Sequence, residues 1–317
     1  MKKVIFIGTG LLLVAAITWL KLSKAPQSTN HTIIGILQTA SHPALDQARE
    51  GFMNQLKIEL NNEVDFIIHN FEGNIATGML MAQALQKTPN ISGIFAIATP
   101  SAQLVVSLEK QKPIFIAAVT NPQILADEEK LPDNLFGSTD MISIEEQVTT
   151  IKTLLPQIST IAIIFNQGEA NSNFLHEKMK QTFADAGFTT KSIGITSEAE
   201  LGNQVKFACN HADLIIAPTD NLVATTAGFI ANMCRDAKIP FIVSDPLLVN
   251  QGPLLASGGI DYKKSGAAAG SLAAKVLTKQ PIKSVFVNAL QTKTIVNKQT
   301  MEALGLTLPL EKIELVQ

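Results

Sequence analysis

The sequence has few cysteines, few aromatic rings other than phenylalanine, and no cluster of basic residues. Among its 317 residues, 2 are cysteine, 1 is tryptophan and 1 is tyrosine, and the net charge is −2 at pH 7. The lack of a basic stripe argues against nucleic acid as a partner. Cys209 and Cys234 could pair in an exported protein, but both fall on or next to helical patterns, and we expect buried free thiols.

The sequence signatures of common enzymes are missing as well. The chain has no G-x-S-x-G elbow, no Walker loop, no G-x-G-x-x-G after the first strand and no H-E-x-x-H helix. His42 and Asp46 lie four residues apart, but the other histidines are scattered and provide no third metal ligand at a suitable spacing. We therefore expect no catalytic residues, no metal site and no cofactor.

The N-terminus carries a segment of a different kind. Lys2 and Lys3 precede an apolar run over residues 4–20, which is followed by further lysines and a polar linker. This pattern predicts that residues 1–30 are a signal peptide or an N-terminal membrane anchor with its linker, and the length of the run fits both. No cysteine lies near the run, which excludes lipoprotein processing.

One structural unit occurs twice in the rest of the chain. Each copy reads as a strand, a polar turn, a helix, a second strand and a second polar turn, over residues 94–122 and 214–246. Such short apolar runs are typical of strands buried on both faces of a parallel sheet. Ligands bind at the carboxyl ends of strands in open parallel sheets. The repeat therefore predicts two similar lobes with a cleft between them.

Strand and helix patterns alternate from residue 31 onward, which predicts an α/β fold with parallel sheets. Strands outside the repeated unit are predicted at residues 33–37, 64–69, 161–165, 190–194, 254–257 and 285–287, and helices at 43–61, 74–86, 143–155, 171–186, 265–278 and 298–304. The chain is predicted to cross between lobes near residues 134–140 and 259–262. The first lobe then comprises residues 31–138 and 260–290, and the second comprises 139–259 and 291–317.

Polar residues follow almost every predicted strand, where a helix begins. Hydroxyl groups and free N–H groups at helix starts bind carboxylates or phosphates, and Thr99 and Ser101 are the best candidates for that role. Asp220 and Asp245 are the best candidates to receive an ammonium group. Ser, Thr, Asn and Asp are also ordinary helix caps, and each of these residues has that alternative.

These motifs, in this order, are similar to those of one protein family. The chain resembles the substrate-binding proteins of ABC transporters, in particular those that bind tryptophan or tyrosine and phenylalanine. The resemblance spans residue 31 to the C-terminus and rests on Gly35-Ile36-Leu37, His42-Pro43-Ala44-Leu45-Asp46, Gly51-Phe52, Glu72-Gly73-Asn74, Ala98-Thr99-Pro100-Ser101-Ala102-Gln103, Val119-Thr120-Asn121-Pro122, Gly168-Glu169-Ala170-Asn171-Ser172, Pro218-Thr219-Asp220-Asn221 and Gly258-Gly259-Ile260-Asp261-Tyr262.

The resemblance implies a type I periplasmic-binding fold, with two Rossmann-like lobes joined by three crossing strands and a cleft that closes on its ligand. It also implies an extracytoplasmic location, delivery of the ligand to an ABC permease powered by an ATPase, and an amino-acid ligand that is often aromatic. Retention of the N-terminal helix would anchor the protein to the cytoplasmic membrane. This chain departs from the family in lacking the usual lipobox.

The resemblance and the polar residues at the strand ends together predict a ligand site. The carboxylate would be bound by Thr99, Ser101 and Gln103, with Thr120 and Ser41 nearby. The ammonium would be bound by Asp220 or Asp245, helped by Asn166 and Asn221, because a buried ion needs a partner. Phe71 or Phe165 would pack against the ligand side chain. Asn74 lies in the polar turn after the second predicted strand and is a further candidate ligand-binding residue.

Three other functions fit the same sequence. An uncleaved anchor would make the protein a membrane-tethered ligand sensor, although no signalling domain is present. The ligand could be a nucleoside or a small sugar, since these are also bound by Asp and Asn at strand ends. An exported enzyme would need a nucleophile beside a base on the cleft wall, and the sequence shows none.

Overall fold

The computed structural model describes residues 31–126, 130–288, 293–308 and 313–316. Its first half alternates strands and helices without interruption. The elements are β1 (Thr32–Gln38), α1 (Pro43–Glu59), β2 (Val64–Asn70), α2 (Ile75–Lys87), β3 (Ile91–Ile97), α3 (Thr99–Leu108), β4 (Ile114–Val119) and β5 (Leu135–Thr139). A short 3-10 helix, Pro122–Leu125, follows β4.

The second half continues the alternation and then returns to both sheets. Its elements are α4 (Ile144–Leu154), β6 (Thr160–Asn166), α5 (Ala170–Asp185), β7 (Thr189–Ile195), α6 (Glu198–Cys209), β8 (Leu214–Ala217), α7 (Asn221–Asp236), β9 (Phe241–Val243), β10 (Leu255–Ala256), α8 (Tyr262–Leu277), β11 (Phe286–Asn288), β12 (Ile295–Asn297), α9 (Lys298–Ala303) and β13 (Glu314–Val316). A 3-10 helix, Pro246–Gln251, lies between β9 and β10.

The strands form two sheets. The first sheet has the order β11-β5-β4-β3-β1-β2 and is parallel throughout. The second has the order β13-β12-β10-β9-β8-β6-β7, with β10 and β12 antiparallel and the other pairs parallel. We call the first sheet with its helices the first lobe and the second sheet with its helices the second lobe.

Each sheet is covered on both faces, which explains the apolar runs in its central strands. In the first lobe, α1 and α8 cover one face and α2 and α3 the other. In the second lobe, α6 and α7 cover one face and α4 and α5 the other. Every side chain of β4 and of β8 is buried. The predicted α/β class with two parallel-sheet lobes is therefore confirmed, and both copies of the repeated unit form adjacent strands of their sheets.

Some elements depart from the sequence-based expectation. Residues 134–140 were expected to be only a crossing, but Leu135–Thr139 is also strand β5, paired with β4 and β11. Helix α6 and strands β12 and β13 were not predicted. The two strands are three residues long and partly exposed, so they lack the apolar run that marks the central strands.

The chain passes between the sheets after β5, after β10 and after β11. The first two crossings lie against each other: the Ser143 N–H donates to the Gly258 carbonyl at 3.0 Å, and the Tyr262 hydroxyl donates to Asp140 Oδ2 at 3.2 Å. Gly258 has a φ of +70°, and a Cβ there would lie 2.3 Å from the Ser143 carbonyl oxygen, so this position requires glycine. The predicted lobe boundaries remain predictions, and the last of them lies at residues 290–291, outside the described residues.

Two further expectations concern the cysteines and the N-terminus. Cys209 and Cys234 are both free; Cys234 is buried and Cys209 is partly exposed. The predicted signal peptide or anchor lies outside the described residues. Within the part of the chain that the structure describes, no helix is long and apolar enough to cross a membrane.

Candidate functional site

The carboxyl ends of the strands of the two lobes face each other. Two direct hydrogen bonds join the lobes there. His42 Nε2 lies 3.1 Å from Asn221 Oδ1, and the hydroxyls of Thr120 and Thr219 are 3.3 Å apart. The lobes are therefore in contact across the cleft, and two cavities lie between them.

The first cavity, which we call the inner cavity, lies between the two copies of the repeated unit. It has a volume of about 30 Å³, which is room for about two water molecules. It is lined by His42, Ala44, Leu45, Ala98, Ala118, Asp140 and Tyr262 from the first lobe and its crossings, and by Asn171, Pro218, Thr219, Asp220, Asn221, Val223, Ala224, Val243, Asp245 and Leu248 from the second.

Four buried polar atoms on residues that line the inner cavity have no hydrogen-bond partner. They are His42 Nδ1, Asp140 Oδ1, Asn171 Oδ1 and Asp245 Oδ2. The Asn171 amide group donates to the Thr219 carbonyl at 3.0 Å, so its oxygen faces away from that bond. Each of the four atoms can accept a hydrogen bond. Because unpartnered buried polar groups are rare and costly, four of them at one cavity indicate a ligand site.

Two of the three aspartates that line the inner cavity, Asp140 and Asp245, have pKa values raised close to neutral pH. Burial, together with the negative charge of Asp140, raises the pKa of Asp245 to about 7. Burial raises the pKa of Asp140 to about 6, although hydrogen bonds from Thr120 and Tyr262 act against it. A cation placed between these carboxyls would be favoured because it offsets both the desolvation and the mutual repulsion.

The backbone beside the inner cavity is strained. Ala98, which follows β3, has a φ of +75°, and Ala118 in β4 has a φ of +56°. The pairing of β4 with β5 is irregular at the same place, between Ile116 and Val119. Non-glycine residues in this region cost of order 1–3 kcal/mol and cluster at ligand sites. The strain therefore marks the same place as the unpartnered acceptors.

The second cavity, which we call the outer cavity, lies at the cleft mouth and has a volume of about 540 Å³. It is lined by Thr39, Ala40, Glu72, Gly73, Ile75 and Pro100 from the first lobe and by Asn166, Gly168, Glu169, Thr196, Glu198, Asn221, Leu222 and Thr225 from the second. Asn221 lines both cavities. Burial and the nearby charge of Asp220 raise the pKa of Glu169 to about 7.

Five of the twelve residues chosen from the sequence lie at this interface. Asp220, Asn221 and Asp245 line the inner cavity, Asn166 lines the outer cavity, and Thr120 contacts Thr219 across the cleft. Asp245 caps the 3-10 helix that follows it, because its Oδ1 accepts from the Leu247 N–H at 2.9 Å while Oδ2 stays unpartnered.

The other seven residues do not line either cavity. Ser101 bonds the Thr39 hydroxyl at 2.9 Å, and Thr99 is buried with its hydroxyl unpartnered. Ser41, Asn74 and Gln103 are exposed, Phe71 lies in the core of the first lobe, and the Phe165 ring stacks on His176 with centroids 3.8 Å apart. Their roles in binding stay predictions, since nothing in the geometry tests them.

The chain is similar in sequence to known proteins over most of its length. The family model described as ABC transporter substrate binding protein matches residues 33–315. The Tyrosine-binding protein of Clostridioides difficile is 31% identical over 291 residues, which cover 90% of this chain and 84% of that protein. The chain belongs to the ABC transporter substrate-binding family. The resemblance expected from the motifs is thus confirmed, and proteins of this family serve to bind solutes.

Two solved structures are similar to this substrate-binding protein over most of its length. An ABC domain from Streptococcus pneumoniae in complex with L-Trp is 27% identical, with a TM-score of 0.83 over 90% of this chain and all of that one. The ligand-free, open form of a substrate-binding protein with adhesive properties from Clostridium difficile is 30% identical, with a TM-score of 0.68 over 90% of this chain and 99% of that one.

Sequence reasoning missed several residues of the inner cavity. His42 was considered only as a metal ligand, Asp140 only as part of the first crossing, and Tyr262 only as part of the second crossing and of a motif of the family. Among the described residues, no three His, Cys, Asp or Glu side chains are placed to hold a metal ion. Asn171 and Glu169 belong to a turn that was noted without a role. Asp140 directly follows β5, but that segment was predicted only as a crossing, so the strand-end argument that selected Asp245 was not applied to it.

Asp220 differs from Asp245 because its own lobe already uses both of its oxygens. Its Oδ1 accepts from the Val223 N–H at 2.9 Å and caps α7, while Oδ2 accepts from the Asn166 N–H at 2.6 Å and from the Ser172 hydroxyl. Replacing Asp220 with alanine leaves the Val223 N–H and the Ser172 hydroxyl without their acceptor, and the Asn166 N–H keeps only a 3.2 Å bond to the Ser172 hydroxyl oxygen. We expect a loss of about 3 kcal/mol of unfolding free energy, measured by urea denaturation.

The matched control is Asp261→Ala. Asp261 also caps a helix, since it accepts from the Lys264 N–H at 3.0 Å, but it is partly exposed and has no second buried donor. Its loss should cost only about 1 kcal/mol. Equal losses for the two variants would contradict the structural role assigned to Asp220.

Proposed function

We propose that this protein is the extracytoplasmic receptor of an ABC importer and that it binds an amino acid, aromatic in its side chain, with the ammonium group in the inner cavity. The observation that carries the proposal is that four unpartnered buried acceptors belong to residues that line one cavity between the lobes. An ammonium group has three N–H donors and a positive charge. It therefore supplies both the hydrogen bonds and the charge that Asp140 and Asp245 lack.

Donors for a carboxylate lie beside these acceptors. Helix α1 begins after His42, and no side chain caps it. Pro43 has no N–H, while Ala44 and Leu45 in the same first turn line the inner cavity. The first N–H groups of a helix have no partner within the helix and attract anions. An α-amino acid, with its ammonium next to its carboxylate, matches this combination of acceptors and helix start.

The aromatic class rests on the relatives and on the outer cavity. One relative is named for binding tyrosine and another was crystallised with L-Trp. The inner cavity is too small for a whole amino acid, but the outer cavity has the volume of an ordinary ligand pocket. Its wall includes the apolar residues Ile75, Pro100 and Leu222. The ring of the ligand would lie there, and the lobes would have to separate for entry.

Other ligand classes fit the acceptors less well. The hydroxyls of a sugar or nucleoside both donate and accept, and they carry no charge to offset two buried carboxyls. The predicted export segment and family membership support a place outside the cytoplasmic membrane, with transfer of the ligand to a permease. A tether through residues 4–20 would keep the receptor at that membrane.

A thermal-shift panel on the purified full-length chain tests the proposal. Ligands that bind only the folded state raise the melting temperature by mass action. We expect rises with L-tyrosine, L-tryptophan or L-phenylalanine and none with 3-(4-hydroxyphenyl)propanoate, which keeps the ring and carboxylate of tyrosine but lacks the ammonium. Rises confined to sugars or nucleosides, or an equal rise with the propanoate, would refute the amino-acid site.

A further inference from the structure

A chain of three side chains links the two lobes beside the inner cavity. Glu169 precedes α5 and Asn221 begins α7, both in the second lobe, whereas His42 precedes α1 in the first. The Asn221 amide group donates to Glu169 Oε2 at 2.6 Å, and Asn221 Oδ1 lies 3.1 Å from His42 Nε2. All three residues are more than nine-tenths buried.

The direction of this chain is fixed by Glu169. Its carboxylate accepts from several donors at once: Asn166 Nδ2 at 3.1 Å on Oε1, and Asn171 Nδ2 at 3.4 Å together with the Asn221 amide on Oε2. Burial and the charge of Asp220 raise the pKa of Glu169 to about 7, so at pH 8 the group is a carboxylate and only accepts hydrogen bonds. The amide nitrogen of Asn221 must therefore face Glu169, and its oxygen must face His42.

The orientation of Asn221 in turn sets the tautomer of His42. Because Asn221 offers an oxygen, His42 Nε2 must carry a proton and donate it. Burial lowers the pKa of His42, so the ring holds a single proton. His42 Nδ1 is then an unprotonated acceptor, and it is one of the four unpartnered atoms on the residues that line the inner cavity.

We propose that Glu169 and Asn221 are positioning residues that hold His42 as a neutral acceptor, and that His42 Nδ1 accepts an N–H of the ligand ammonium when the lobes are together. This inference rests on the proposed amino-acid function and adds His42 as a specificity-determining residue of that site. The chain of hydrogen bonds exists only when the first lobe meets the second. Closure therefore fixes the tautomer in which Nδ1 is the acceptor that faces the ligand.

The arrangement also explains why a neutral group is used. Asp140, Asp220 and Asp245 already place three carboxyls around a cavity of about 30 Å³, and a further buried negative charge would raise their pKa values further. A neutral imidazole nitrogen adds a hydrogen-bond acceptor without adding charge. A protonated imidazole would repel an ammonium group, so the tautomer matters for binding.

The direct test is ¹⁵N NMR of the histidine rings in the protein saturated with L-tyrosine. We expect His42 to be protonated at Nε2 and unprotonated at Nδ1. Isothermal titration with L-tyrosine should show at least a 30-fold loss for His42→Phe. His42→Gln should stay within about fivefold of the wild type, because its amide nitrogen can donate to Asn221 while its oxygen accepts from the ligand.

The positioning role is tested by Glu169→Gln. The new amide allows Asn221 to turn over, so we expect about tenfold weaker binding of L-tyrosine together with a mixture of His42 tautomers in the NMR spectrum. Glu177→Gln is the matched control. Glu177 lies on α5, the helix that Glu169 precedes; its side chain is 70% exposed, and it lines neither cavity. It should leave the affinity and the tautomer unchanged.

The outcomes separate the inference from the function beneath it. An Nδ1-protonated or doubly protonated His42 in the complex, or a His42→Phe affinity within threefold of the wild type, would overturn the role of His42 and leave the amino-acid receptor standing. A wild-type protein that does not bind L-tyrosine, L-tryptophan or L-phenylalanine would overturn both.

Discussion

Replacing Asp245 with asparagine should weaken the binding of L-tyrosine by at least about 100-fold, because the ligand ammonium loses a buried charged partner. The same change should stabilise the ligand-free protein. Asparagine keeps the oxygen that accepts from the Leu247 N–H, and it replaces an unpartnered carboxylate oxygen with an uncharged amide group. We expect a gain of roughly 2 kcal/mol in unfolding free energy at pH 8, about half of the full linkage for such a shift.

The pH dependence of this gain follows from the direction of the pKa shift. Burial raises the pKa of Asp245 to about 7, above its value in the unfolded chain. Between about pH 4 and 7 the unfolded chain has lost a proton that the folded protein keeps. The wild type therefore loses stability as the pH rises through this window, while Asp245→Asn loses less. Urea denaturation at pH 5 and pH 8 should show the variants converging at the lower value.

The control for both readouts is Asp133→Asn. The Asp133 side chain is 86% exposed and pairs with Lys130 on the surface, far from any buried charge. It should change neither the affinity for L-tyrosine nor the pH profile. If Asp245→Asn bound L-tyrosine as tightly as the wild type, Asp245 would have no place in the ligand site.

The second large effect is expected from Gly266→Ala, which should cost more than about 3 kcal/mol and leave little folded protein. Helices α1 and α8 approach each other through glycines. A Cβ on Gly266 would lie 2.0 Å from the Ala48 carbonyl oxygen, and one on Gly51 would lie 2.1 Å from the Lys263 carbonyl oxygen. Both obstacles are backbone atoms, so the helices would have to separate.

Gly202→Ala provides the comparison. Gly202 is also inside a helix, α6, but its nearest neighbour would be the tip of the Phe229 ring at 4.0 Å. Alanine there should stabilise the protein by about 0.5–1 kcal/mol, since glycine is the poorer helix former. Yield and circular dichroism melting of both variants measure the contrast. Similar melting temperatures would show that α1 and α8 can move apart freely.

The small residues of α8 indicate that this helix packs closely, but they do not identify the element on which it packs. Helix α8 contacts β4 and β5. Its closest approach is to another helix, α1, through Gly266, Gly51 and Gly270. A sequence shows which residues are small; which element fills the space beside them is decided by the three-dimensional path of the chain.

The fold was predictable because the central strands are buried on both faces, and such strands are visible in the sequence as apolar runs. β12 and β13 could not be found this way, since each is only three residues long, β13 is an edge strand with exposed side chains and β12 ends in a polar residue. For the site, Asp220 and Asp245 look alike in sequence, each following a buried strand. Only the folded chain shows the difference between them. Asp220 accepts hydrogen bonds from Asn166, Ser172 and Val223, whereas one oxygen of Asp245 has no partner.

The pairing of α1 with α8 also bears on the order in which the protein can fold. Helix α1 is synthesised early. Helix α8 and strand β11, which complete the same lobe, follow only when synthesis reaches residues 262–288. Until then the glycine-lined face of α1 has nothing to pack against, and the first lobe stays incomplete while β6 to β10 emerge. The first lobe can therefore be completed only after most of the second lobe has been synthesised.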